Sequence, residues 1–317
     1  MILGTGQAVP ERVLTNFDLE KMVDTTDEWI RERTGIQRRY IASEKDQNSE
    51  FCAAAGRAAL QAAGLSADQL DTIIVATVTG DVTFPATACY VQQMLGAENA
   101  AAFDLAAACT GFLYGLSLGD GLIASGKAKH VLVIGCEILS RIVDWTDRAT
   151  CVLFGDGAGA AVLGPSDGHR GIVDTFMKSD GRLTHLLCMP GGGTKVPPDV
   201  ALAERMMFLR MEGREVFKHA VTAMGDAAEH ILARNHLTGH DIDLLIPHQA
   251  NIRIINATAK RVGMPREKVY VNVQNYGNTS AASIPIALNE ALGNGRLKSG
   301  DRCLMVAFGG GFTWGSA

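Results

Sequence analysis

Runs of consecutive apolar residues alternate along the chain with stretches of small residues at helical spacing. In the first half the runs are DTIIVATV (71–78), AAAFDLAAA (100–108), HVLVIGC (130–136) and AAVLG (160–164). In the second they are DLLIP (243–247), VYVNV (269–273) and RCLMVAF (302–308). Short continuous runs of this kind predict strands buried on both faces. Helices are predicted over 85–95, 111–125, 213–235, 250–262 and 281–293. Strands and helices in alternation predict an α/β layered architecture.

The order of elements repeats. DTIIVATV, then AFDLAAAC leading into a helix, then ASGKAKHVLVIG has its counterpart in DIDLLIPHQ, then VYVNVQNYGN leading into a helix, then KSGDRCLMVAFGG. Aligned this way, Cys109 and Val131 are 22 residues apart and Asn278 and Cys303 are 25 apart. Two related halves are expected to pack face to face, one over 1–165 and one over 166–317. Residues 178–212 interrupt the pattern with PGGG, PP and several methionines, and are expected to form a cap or loop excursion.

A length of 317 residues, 47% of them hydrophobic, suits one large α/β unit or two ordinary domains. The net charge of −5 argues against broad nucleic-acid binding, which needs an extended basic surface. Seven scattered cysteines without CxxC spacing fit neither a disulfide framework nor a metal knuckle, so no metal is expected and a reducing cytoplasm is the simple reading. MILGTGQAVPERV lacks a basic segment followed by an apolar stretch, so no signal peptide is expected. Residues 100–118 come nearest to a membrane span, but Asp104 lies inside and Asp120 directly follows.

Candidate chemistry sits at three strand ends. Cys109 follows AFDLAAA, His248 follows DLLIP and Asn278 follows VYVNVQNYG, each before a predicted helix. α/β sheets bind ligands at such carboxyl ends, and one pocket can collect all three residues. At a helix start, unpaired N–H groups and the helix dipole favour thiolate over thiol, and His248 is placed to take the proton. Singly, each has a plainer reading: a small buried thiol, a structural imidazole and a helix-capping amide.

The motifs DEWIRERTGI, DLAAACTGF, TDRATCVLFGDGAGAAVLG, PHQANIRI, YGNTSAAS and AFGGGFTWGSA occur in this order over nearly the whole chain. In them the chain resembles the β-ketoacyl-acyl carrier protein synthase III family of the thiolase-like superfamily. That resemblance implies a five-layer αβαβα fold of two pseudo-symmetric halves, a homodimer, and Cys109, His248 and Asn278 as a catalytic triad. It implies that Cys109 takes an acyl group from acyl-coenzyme A, and that malonyl-acyl carrier protein is then decarboxylated to an enolate that attacks the acyl-enzyme. The coenzyme enters as a thioester substrate, with no separate cofactor. The backbone N–H groups of Cys109 and Gly310 are the implied oxyanion hole. The family usually continues for a few residues beyond FTWGSA.

In TTDEWIRERTG, Thr25 and Glu28 have capping-box spacing, and Trp29 and Arg33 share a helical face suited to an adenine nucleotide. The resemblance adds Arg148 to this pair, and Gly213, Phe217 and Asn251 to a pantetheine tunnel. Arg253 and Lys260, with Arg261 beside them, share a face that Arg214 and Lys218 extend. By the resemblance this patch docks the acidic carrier protein, although the family often has a neutral residue at Arg214. Phe84, before a proline expected to start a helix, and Leu153 are the implied acyl-pocket residues, with a bulky ring favouring a short primer such as acetyl.

Other classes remain open at this level. A papain-like hydrolase also combines cysteine, histidine and asparagine, but the local CGSCW signature is absent. GTGQAV and GDGAGAAVLG are glycine-rich without the full dinucleotide-binding context. A non-catalytic dimer scaffold fits the fold alone, and a condensing enzyme of secondary metabolism with another primer, or malonyl-coenzyme A as acceptor, fits the same triad.

Overall fold

Alternate residues of the apolar runs at the centre of each sheet serve two different cores. The computed structural model describes residues 1–317. Its first sheet contains β1 (Ile2–Ala8), β2 (Thr72–Ala76), β3 (Ala101–Leu105), β4 (Val131–Glu137) and β5 (Gly157–Leu163), in the order β1-β5-β4-β2-β3. The second contains β6 (Phe176–Ser179), β7 (Leu244–Pro247), β8 (Cys303–Gly309) and β9 (Thr313–Ser316), in the order β7-β8-β9-β6. The principal helices are α1 (Asp27–Thr34), α2 (Asn48–Ala63), α3 (Thr87–Leu95), α4 (Gly111–Ala124), α5 (Gly213–Arg234), α6 (Ile252–Arg261) and α7 (Ser283–Gly293).

Ile74, Val131 and Val133 of the first sheet and Leu244, Ile246 and Met305 of the second pack on α4 and α7, which lie between the sheets. Ile73, Val75, Leu132 and Ile134 point the other way, onto α2 and α3. Leu245, Leu304 and Val306 point onto α5 and α6. The layers therefore run helix, sheet, helix, sheet, helix. Gly111, Gly115 and Gly119 form a stripe on α4 where an added Cβ would lie 2.6–2.8 Å from Ala76, Val133 and Leu163. The glycines that would weaken a lone helix here allow it to lie directly on the sheet. The 100–118 segment is thus a strand, a turn and part of α4, and no helix is long and apolar enough to cross a membrane.

The internal repeat is visible in the strand pairing. β4 pairs parallel with β2 and antiparallel with β5, and β8 pairs parallel with β7 and antiparallel with β9. The register of the repeat differs from the expected one. Two tight turns, Ala108–Thr110 before α4 and Ser280–Ala282 before α7, carry the only matched pair of left-handed residues, Ala108 (φ +46°) and Ser280 (φ +49°). Ala281, not Asn278, is therefore the counterpart of Cys109, and Ala281 is 22 residues before Cys303, as Cys109 is before Val131.

Four further expectations are corrected. VYVNV is not a strand: it meets β7 through one bridge, Leu245 to Val269, and then Gln249 Oε1 accepts from the N–H groups of Asn272 and Val273 and turns the chain away. β3 is not buried on both faces but lies at the sheet edge, with Phe103 38% exposed. The helix after Phe84 starts at Thr87 rather than at Pro85, where the Asp104 carboxylate accepts from the N–H groups of Thr87 and Ala88. The 178–212 excursion begins only after β6. It contains a two-stranded ribbon, Leu187–Cys188 with Arg210–Met211, and the short helix Pro198–Ala203.

Candidate active site

The turn that holds Cys109 is fixed from both halves of the molecule. Thr110 Oγ1 lies 2.6 Å from Ala107 O and 2.6 Å from Thr313 Oγ1, and the Thr313 hydroxyl also reaches Ala107 O at 3.0 Å. Behind the turn, β8 comes so near that a Cβ on Gly309 would lie 2.6 Å from Cys109 N. Only glycine permits that approach.

His248 is the first residue after β7, anchored by its N–H to Val306 O at 2.8 Å. Its Nδ1 lies 2.6 Å from Ser283 Oγ in buried surroundings, which leaves Nε2 as the ring nitrogen free for a ligand. Asn278 is held by its N–H to Leu153 O and by its carbonyl, which accepts from Gly155 N–H. Its side-chain Oδ1 accepts from Ser280 N–H at 2.9 Å, so the amide NH2 is the end left to donate. Cys109, His248 and Asn278 line one cavity of about 560 Å³, together with Ser280, Phe308 and Gly310.

Burial sets the resting charge state. It pushes the Cys109 thiol up to about 12, against a smaller opposite pull from the Ser280 hydroxyl and with a further push from Glu137. Burial also lowers His248 to about 3. Thiol and imidazole are therefore both neutral at rest. Desolvation in so apolar a site acts against the thiolate that the helix start favours. Two neutral groups do not attract like an ion pair, but they are competent to pass a proton when a substrate carbonyl arrives.

Glu137, Ser280 and Ser283 escaped the reading of the sequence. Glu137 is fully buried at the end of β4 and accepts hydrogen bonds from the hydroxyls of Thr77, Thr79 and Ser280 and from Val78 N–H. Burial raises it to about 7 despite these donors. The available signal was an acid closing an otherwise apolar strand, VLVIGCE.

Around the mouth, α1 carries Trp29, with the Arg33 guanidinium 5.6 Å and that of Arg148 4.6 Å from its ring centre. Arg148 also donates to Asp24 O at 2.8 Å. The cap of α1 is Thr26, whose hydroxyl accepts from Trp29 N–H at 3.1 Å; Thr25, expected in that role, instead has a buried hydroxyl without a partner. Asn251 caps α6 and donates to Arg33 O at 3.0 Å, joining the Trp29 helix to the cavity wall. Gly213, Phe217, Asn251 and Leu153 all line the cavity. Arg253 lies over the Phe217 ring at 4.9 Å. Arg214, Lys218 and Lys260 are exposed, whereas Arg261 is tied to Glu229 and Asp226 and is electrically compensated. Phe84 is 84% exposed and lies outside the cavity lining of its own chain.

Family models described as 3-oxoacyl-[acyl-carrier-protein (ACP)] synthase III and as its C terminal match residues 103–181 and 232–317. A β-ketoacyl-[acyl-carrier-protein] synthase III of Roseiflexus sp. is 52% identical, with 99% of this chain and 96% of the relative covered. One of Desulfitobacterium hafniense is 54% identical, covering 100% and 96%. The chain belongs to the β-ketoacyl-acyl carrier protein synthase III family. The solved synthase III of Aquifex aeolicus superposes with a TM-score of 0.92 at 51% identity, covering 99% of this chain and 97% of that one. Membership of the synthase III family places this chain among acyltransferases and sets aside the hydrolase, oxidoreductase and scaffold readings. GTGQAV, glycine-rich but without the dinucleotide-binding context, is the end of strand β1 and the residue after it.

Proposed function

We propose that this synthase joins a short acyl group, delivered as its coenzyme A thioester, to the two-carbon unit of malonyl-acyl carrier protein and so starts fatty-acid synthesis. The supporting observation is the single cavity that draws Cys109 from one half and His248, Asn278 and Gly310 from the other. The Cys109 thiol gives its proton to His248 Nε2 as sulfur attacks the acyl carbonyl. The tetrahedral oxyanion rests on the N–H groups of Cys109 and Gly310, and its collapse expels the coenzyme thiolate, which takes the proton back. In the second stage His248 and Asn278 donate to the malonyl thioester carbonyl. Loss of carbon dioxide leaves the enolate, which attacks the acyl-cysteine and returns Cys109 sulfur as the leaving group. A missing oxyanion donor typically costs about 3–4 kcal/mol of barrier.

Trp29, Arg33 and Arg148 are assigned to the adenine nucleotide, with Thr25 beside them, and Gly213, Phe217 and Asn251 to the pantetheine arm. Arg214, Lys218, Arg253 and Lys260 are assigned to carrier-protein docking, with Arg261 as a compensated neighbour. Leu153 and Phe84 are assigned to the acyl pocket, Phe84 from the partner of a homodimer. The exposed edge at β3 and the exposed Phe84 support that assembly, since an open edge strand is usually covered. The halves are assigned to 1–165 and 166–317. Intact-mass measurement after incubation with a panel of acyl-coenzyme A thioesters, then with malonyl-carrier protein or malonyl-coenzyme A, tests the reading. One acyl adduct on Cys109, discharged by malonyl-carrier protein, is expected. Discharge by malonyl-coenzyme A alone would point to another condensing reaction, and discharge by water to hydrolysis.

A further inference from the structure

In the proposed reaction, on which this inference rests, His248 meets two opposite demands at one atom. Forming the acyl-enzyme requires Nε2 to accept the Cys109 proton. Holding the malonyl carbonyl requires the same Nε2 to donate one. A neutral imidazole does either, according to which nitrogen carries its single proton. In the usual cysteine or serine site, an acid or amide on Nδ1 fixes one tautomer.

Here the Nδ1 partner is the Ser283 hydroxyl, 2.6 Å away, and Ser283 is 2% exposed and makes no other side-chain hydrogen bond. A hydroxyl both donates and accepts and rotates freely between the two. With the ring proton on Nδ1, Ser283 Oγ accepts it and Nε2 is a bare base. With the proton on Nε2, the Ser283 hydroxyl donates to Nδ1 and Nε2–H is a donor. The ring is anchored through Nδ1 in both states, and neither leaves that ring nitrogen unpaired.

We propose that Ser283 is a positioning residue that lets His248 change tautomer between the two half-reactions. The order of events balances. During acylation Nε2 takes the thiol proton and then returns it to the departing coenzyme sulfur, leaving Nδ1–H donating to Ser283. Water entering the vacated tunnel then delivers a proton to Nε2; the imidazolium swings Nδ1 off Ser283 towards the tunnel, returns one proton to the same water, and on reseating accepts from the Ser283 hydroxyl. No net proton is gained.

Ring-labelled 15N-histidine NMR on the full-length enzyme, with the His248 signals assigned by loss in His248→Gln, reads the tautomer directly. The expected result is Nδ1–H in the resting enzyme and a shift towards Nε2–H in the acetyl-enzyme; the same tautomer in both states overturns the proposal without reference to any Ser283 variant. Ser283→Ala removes the partner of Nδ1, and an unpaired buried N–H is the less tolerated defect, so Nε2–H should dominate throughout. The rate of acyl-Cys109 formation should then fall by about tenfold or more, while discharge of pre-formed acyl-enzyme by malonyl-carrier protein changes far less. Ser283→Thr should restore acylation. Equal loss in both half-reactions, or no loss in either, overturns the proposal. If the unaltered enzyme never acylates Cys109, the functional reading itself fails, and the resting tautomer spectrum still reports on Ser283.

Discussion

Replacing Gly309 with alanine probes how firmly β8 sets the position of the sulfur. The new Cβ would lie 2.6 Å from Cys109 N, 3.2 Å from Cys109 Cβ and 3.3 Å from Ala108 Cβ, where ordinary contact begins at 3.4 Å. The nearest obstacle is backbone, so it cannot rotate away, and the Cys109 turn must retreat by about 0.8 Å. Overpacking of this kind costs about 1–3 kcal/mol of stability. Its kinetic cost is of similar size, because a displacement near 1 Å in a reacting group lowers rates by roughly a hundredfold, about 2.7 kcal/mol of barrier. Gly309→Ala should therefore remain folded while the rate of acyl-Cys109 formation, followed by quenched intact-mass measurement, falls by one to two orders of magnitude. Gly121, also a glycine of the first half, has nothing within 4 Å of an added Cβ, so Gly121→Ala should leave the rate unchanged and raise stability by about 0.5–1 kcal/mol. Full-speed acylation in Gly309→Ala with an unaltered melting temperature would refute the claim that this approach holds the nucleophile.

Arg148→Ala removes the guanidinium 4.6 Å from the Trp29 ring and should raise the KM for acyl-coenzyme A by roughly three- to thirtyfold with kcat little changed; a fall in kcat at constant KM would count against a nucleotide-binding role. Cys109→Ala should abolish the acyl adduct seen by mass, and an adduct that persists would relocate the nucleophile. Glu137, near 4.5 when unfolded and about 7 when folded, gives stability that is fully present below pH 4.5 and lost as the pH rises through 7. Denaturant unfolding of Glu137→Gln and the unaltered protein from pH 4.5 to 8 should show the difference moving in favour of glutamine by roughly 2–4 kcal/mol, and parallel curves would contradict the burial argument. Phe84→Ala should shift initial rates from acetyl- towards longer acyl-coenzyme A, and an unchanged chain-length profile would remove Phe84 from the acyl pocket.

The strands were legible wherever an apolar run met its own alternation, as in TIIVA and VLVIG, because both faces of those strands meet packed layers. VYVNV was not, since its path depends on Gln249, a residue more than twenty positions earlier, competing for its backbone N–H groups. The start of α3 was misplaced for a similar reason: its cap is the side chain of Asp104, supplied from a neighbouring strand. Cys109, His248 and Asn278 could be marked as strand-end residues, but their convergence on one cavity is a matter of tertiary structure. The desolvation of Cys109 was not legible, because sequence reports the helix start and not the depth of burial. Serines 280 and 283 resembled ordinary helix-start residues until the structure placed them against Asn278 and His248.

The matched turns at Ala108 and Ser280 put two bends of one shape to unequal ends. Where the first copy presents a thiol, the second presents the methyl group of Ala281, and the Ser280 N–H and the Ser283 hydroxyl on either side of it brace Asn278 and His248. The repeat thus holds one workplace rather than two, and it straddles the join. A drift in the tilt of either copy would misalign the chemistry long before it loosened either interior, so activity should be a more sensitive gauge of the mutual seating of the halves than any melting curve.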